Sequence, residues 1–157
     1  MGETARILIV DDDENIRKVL TTILEDEGYI VESVDTGKKA IKRTKRKPHN
    51  LALIDIRLPD MEGIELLTKI RDTTPKMRKL VITGYPTLQN AMEAVNRGAD
   101  AYIMKPFDME KVLATIKDQL KKQKEEKKYS QEKVAEFIEA RVRELEKSKE
   151  IAQRRKP

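Results

Sequence analysis

The sequence predicts an α/β fold, a doubly wound, five-stranded parallel sheet with an extended C-terminal helix. Three observations predict it. Short apolar runs alternate with amphipathic helical stretches over residues 5–120, as successive βα units require. The clearest of these runs, Ile7-Leu8-Ile9-Val10 and Leu51-Ala52-Leu53-Ile54, are apolar throughout, as strands covered on both faces are. Four of the runs end abruptly in a carboxylate, a hydroxyl or an ammonium side chain. In an open parallel sheet all such ends lie on one edge, where ligands bind.

The first strand, Ile7-Leu8-Ile9-Val10, ends in Asp11-Asp12-Asp13. Ile16, Val19, Leu20, Ile23 and Leu24 then recur at helical spacing, with Asp13 as the N-cap and Gly28 as the stop. Residues 29–34 read as the second strand, and a helix from Gly37 carries Ala40 and Ile41. His49, beside Pro48, reads as an exposed loop residue. The third strand, Leu51-Ala52-Leu53-Ile54, breaks into Asp55-Ile56-Arg57-Leu58-Pro59-Asp60-Met61-Glu62-Gly63. Ile64, Leu67 and Ile70 form the next helical stripe, closed by Pro75. Strand four, residues 80–83, ends in Thr83-Gly84, and Leu88, Ala91, Met92 and Val95 line a helix ending at Gly98. Strand five, residues 101–104, runs into Lys105-Pro106, and Asp108 caps the helix that follows.

Composition narrows the function classes. The 157 residues include no cysteine, which excludes disulfides, thiol catalysis and thiolate metal sites. A single histidine gives little support to a histidine metal site or a Ser/His pair. Neither a signal peptide nor a membrane span is expected, and a cytoplasmic location follows. The net charge of +5 lies wholly in residues 117–157, where 14 Lys and Arg face 9 Asp and Glu; the rest of the chain balances at 19 against 19.

The reading therefore divides the chain into a domain over residues 1–120 and a charged helical extension over 121–157. No Gly or Pro interrupts the extension before Pro157. Helical from 108 to 154, it would span about 70 Å. Val134, Phe137, Ile138, Val142 and Leu145 form an apolar stripe on it. That stripe is expected to pack against a second copy of the tail, or against the helical stalk of a partner.

At the strand ends, Asp11, Asp12 and Asp55 offer carboxylates, Thr83 a hydroxyl and Lys105 an ammonium. Together they can hold a divalent metal and a phosphoryl group. Ile9-Val10-Asp11-Asp12-Asp13, Leu53-Ile54-Asp55 with its continuation to Gly63, Val81-Ile82-Thr83-Gly84 and Tyr102-Ile103-Met104-Lys105-Pro106-Phe107 resemble the receiver domain of two-component response regulators. The resemblance implies a flavodoxin-like sheet of order 2-1-3-4-5. It implies Asp55 as the phosphoacceptor and Asp11 and Asp12 as the acidic pair for Mg²⁺, with Mn²⁺ as a substitute. Ligation is expected from Asp12, Asp55 and the backbone carbonyl of Arg57, with Asp11 acting through water. Lys105 would pair with a phosphoryl oxygen, Thr83 would offer its hydroxyl, and the small Gly84 would leave its amide accessible. The resemblance further implies a cis peptide at Lys105-Pro106 and a rotamer switch that couples Thr83 to Tyr102.

The expected partners are a sensor histidine kinase and a downstream protein. A homodimer would form through the C-terminal helix or through the face of the fourth helix, fifth strand and last helix. The alternative is an interaction or scaffold module that acts through the basic tail without phosphorylation. A phosphatase of the haloacid dehalogenase type would need a second Asp where Arg57 stands. Direct nucleic-acid binding is not expected, because the tail alternates in sign and carries only Tyr129 and Phe137 as aromatics. The length also leaves no room for a helix-turn-helix or ATPase output domain after residue 120.

Overall fold

The computed structural model describes residues 4–71, 73 and 75–154. Five strands, β1 (Arg6–Val10), β2 (Ile30–Val34), β3 (Leu51–Asp55), β4 (Arg78–Thr83) and β5 (Ala101–Met104), form one parallel sheet of order β2-β1-β3-β4-β5. Between and after them run α1 (Glu14–Asp26), α2 (Gly37–Arg46), α3 (Gly63–Lys69), α4 (Leu88–Asn96) and α5 (Met109–Arg154). The doubly wound architecture and its order agree with the sequence reading.

Strand side chains alternate between two apolar layers. Leu8, Val10, Ala52, Ile54 and Val81 pack with Ala40, Leu66, Leu67 and Ala94 from α2, α3 and α4. Ile7, Ile9, Leu51, Leu53, Leu80 and Ile82 pack on the opposite face with Leu20 and Leu24 of α1 and Val112, Ile116 and Leu120 of α5. Burial on both faces explains the continuous apolar runs. Register then sets the edge. Val10 pairs with Ile54, Asp55 with Ile82 and Thr83 with Met104, so the last residues of β1, β3, β4 and β5 come out side by side.

Asp13 caps α1, accepting hydrogen bonds from the amides of Asn15 and Ile16. Gly28 follows with φ +94°, a conformation that an L side chain rarely adopts. The third helix departs from expectation. It stops at Lys69, well before Pro75, because Ile70 takes an extended conformation and buries its side chain in the core. Core burial, rather than the proline, ends the helix.

His49 also departs. It is buried, with Nε2 3.3 Å from Oε1 of Glu32, itself paired with Arg43. The pairing is invisible in sequence because His49 lies in the loop before β3, as expected, while Glu32 lies on β2. Burial pushes the His49 pKa down, only partly opposed by the Glu32 carboxylate. The unfolded chain therefore takes up this proton at about pH 6.5, before the folded one does. Stability should fall as pH drops below that value, and His49→Gln should flatten the fall. Urea midpoints measured across this window decide it; parallel pH profiles for the parent and variant would exclude the role.

The chain divides into two units, Met1–Gln123 and Lys124–Pro157. Gln123 belongs to the first because its amide nitrogen donates to the carbonyls of Asn50 and Lys76, both at 2.9 Å. The second unit is helical through Arg154, with its side chains exposed. Among the described residues no helix is long and apolar enough to cross a membrane.

Candidate functional site

The sheet edge brings three acids and one cation together. Asp11 leaves the end of β1 with its amide bonded to the Val34 carbonyl and its carboxylate accepting from the Asp13 amide. Arg17 of α1 reaches back to the Asp11 carbonyl at 2.7 Å. Asp55 ends β3, and its Oδ1 accepts from the Arg57 amide at 3.3 Å. Lys105 Nζ spans both acids, 3.1 Å from Asp11 Oδ2 and 3.3 Å from Asp55 Oδ2. Asp12 is exposed, yet carboxylate oxygens of Asp11, Asp12 and Asp55 lie within 4.8 Å of one another. Such a donor set suits a hard divalent cation.

The electrostatics follow from crowding. Burial pushes the Asp55 pKa up, and the Asp11 carboxylate pushes it further; Lys105 pulls the other way. Burial works against the charge of Lys105, but the two carboxylates outweigh it and raise its pKa. Lys105 therefore remains a cation over a half-screened acidic pair.

The β3–α3 turn fixes Asp55 sterically. The Gly63 amide bonds the Ile56 carbonyl at 2.7 Å, so close that an added Cβ would lie 2.0 Å from the Asp55 carbonyl oxygen. Asp60 in the same turn accepts from the amides of Gly37 and Lys38, both at 2.9 Å, and so adds to the Thr36 cap of α2. This role of Asp60 is not marked in the sequence. Its signal was its place inside a turn motif, but the capped helix is 22 residues away in sequence.

The remaining expected residues sit nearby without joining the cluster. Thr83 is fully buried, and its Oγ1 accepts from the Tyr85 amide at 2.9 Å. Gly84 is beside Lys105, where a Cβ would meet that side chain at an ordinary 3.9 Å, so sterics do not demand glycine in this conformation. Arg57 turns outward and stacks its guanidinium 3.8 Å from the Tyr85 ring centroid, a contact that links the β3 turn to the β4–α4 loop. Tyr102 packs against the core already, with its hydroxyl shielded and without a hydrogen-bond partner. Lys105-Pro106 is cis.

The family model described as the response regulator receiver domain matches residues 7–117. The transcriptional regulatory protein ZraR of Klebsiella oxytoca is 36% identical over 119 residues, 76% of this chain and 27% of its own length. This chain thus spans about a quarter of that relative. A CheY-like receiver domain protein from Methanospirillum hungatei JF-1 is similar in structure, with TM-score 0.76 and 47% identity, over 79% of this chain and 99% of its own. So is a response regulator from Burkholderia pseudomallei solved with a phosphorylated aspartic acid, a calcium ion and citrate. That structure has TM-score 0.66 and 28% identity, over 78% of this chain and 72% of its own. An aspartyl phosphate and bound Mg²⁺ are typical of these domains, which pair with histidine kinases. From residue 7 to residue 117 the chain belongs to the response regulator receiver family of two-component signal transduction.

Proposed function

We propose that Asp55 accepts a phosphoryl group from a phosphohistidine of a sensor kinase, and that the resulting change is read by a downstream protein. The observation that carries this reading is the span of Lys105 Nζ between Asp11 and Asp55 at the sheet edge. An Oδ of Asp55 attacks phosphorus, the P–N bond to the imidazole breaks, and that nitrogen takes up a proton. Lys105 sits where it can follow an oxygen of the transferred group, so the nucleophile and the charge screen are both positioned before reaction. Asp11, Asp12, Asp55 and the Arg57 carbonyl would hold Mg²⁺, which supplies positive charge for the phosphoryl oxygens.

The signal then leaves through Thr83. Drawing its hydroxyl toward the new phosphoryl group breaks the bond it accepts from the Tyr85 amide and frees residues 84–87 to move. The Arg57–Tyr85 stack spans the same gap, and the unpartnered Tyr102 hydroxyl could gain a partner in the rearranged loop. A cytoplasmic site of action fits a kinase partner.

The transcriptional name of the Klebsiella oxytoca relative favours a second reading of the output, in which the receiver governs a DNA-bound module. The expectation against nucleic acid therefore extends only to contacts made by the present residues.

The metal requirement supplies the test. Asp12→Ala should raise the Mg²⁺ concentration needed for half-maximal labelling by acetyl phosphate at least roughly tenfold, the loss that removing even an outer-shell partner of a metal ligand brings. An unchanged magnesium dependence would remove Asp12 from the site.

A further inference from the structure

We propose that residues 124–154 pair with a second copy of themselves as a parallel, in-register, two-stranded coiled coil. The helix exposes Ile138, Val142 and Leu145 at 55%, 47% and 52% of their surface. Isolated helices are marginal in water, and leaving this face wet forgoes the burial that could hold it. The spacing of the apolar residues fits a heptad. Ala135 and Val142 fall at a, and Ile138, Leu145 and Ala152 at d. Tyr129, Val134, Phe137 and Ile151 lie outside this seam.

Charge selects the occupant and its direction. In this frame every e position from 125 to 146 is a glutamate: Glu125, Glu132, Glu139 and Glu146. The g positions are Lys127, Val134, Arg141 and Ser148, of which two are cations. A parallel pair sets each g residue against the e residue five positions on in the other copy, giving Lys127–Glu132 and Arg141–Glu146, each twice by symmetry. An antiparallel pair sets e against e and so glutamate against glutamate. Within one helix Arg141 pairs with Glu144 at 3.0 Å, an exposed contact worth little and readily exchanged. Lys128 and Lys149 at a, with Lys124 and Gln131 at d, interrupt the seam and pin its register.

The chain has no cysteine, so single cysteines report the pairing directly. In the full-length protein, Leu145→Cys should give a disulfide-linked dimer under mild oxidation, because each copy faces its own counterpart. Phe137→Cys, more exposed but outside the seam, should link far more slowly. Sedimentation should give twice the chain mass of 18.2 kDa. Arg141→Glu should weaken the dimer roughly tenfold, since two symmetry-related attractions become repulsions, and Arg141→Glu with Glu146→Arg should restore it. A monomeric parent at micromolar concentration would overturn the proposal, even if a kinase stalk binds the tail. So would a dimer indifferent to Arg141→Glu, or equal linking at residues 137 and 145.

Discussion

Asp55→Asn is expected to take up no phosphoryl group from acetyl phosphate at any magnesium concentration. The amide keeps the shape of the side chain and its acceptor toward the Arg57 amide, so the turn should survive the change. What it lacks is a nucleophilic oxygen and one of the anionic ligands in the Asp11, Asp12 and Asp55 cluster. Loss should be complete, because within the cluster only Asp55 lies at the end of β3 beside Lys105 with its carboxylate aimed at the same cation as Asp11. Intact mass measured with excess acetyl phosphate gives the answer. Labelling of the variant at the parent's level would move the acceptor to another residue.

The second large effect concerns a residue with no reactive group. Gly63→Ala should destabilise the domain by about 1–3 kcal/mol or more, in the range seen for overpacked sites. A Cβ there would meet the backbone oxygen of Asp55 at 2.0 Å, and a backbone cannot rotate away as a side chain can. Either α3 shifts outward or the end of β3 is pushed from its register with β4. The second response displaces Asp55 from Lys105, so the phosphorylation rate should then fall along with stability. Denaturant unfolding and labelling kinetics on the one variant check the coupling. A variant as stable as the parent would show that the turn yields without cost.

The pattern of the fold was legible in the sequence because strands buried on both faces leave continuous apolar runs. The acids, hydroxyl and lysine at the strand ends were legible for the same reason, each marking where a run stops. Residues whose role depends on a distant partner were not. His49 is the loop residue expected, but its burial against Glu32 of β2 was not legible, nor were the bonds that Asp60 accepts from the first amides of α2. The Arg57–Tyr85 stack joins two loops that only the sheet order brings together. The early end of α3 came from the burial of Ile70, a tertiary effect that overrides a proline signal five residues on.

The central claim is that Asp55 receives the phosphoryl group in a site completed by a divalent cation. Reductive trapping of the acyl phosphate, followed by peptide mapping with magnesium and with chelator, tests it most directly. Magnesium should give one modified residue, Asp55, and chelator none. Modification at any other residue, or equal labelling of Asp55 in chelator, would contradict it.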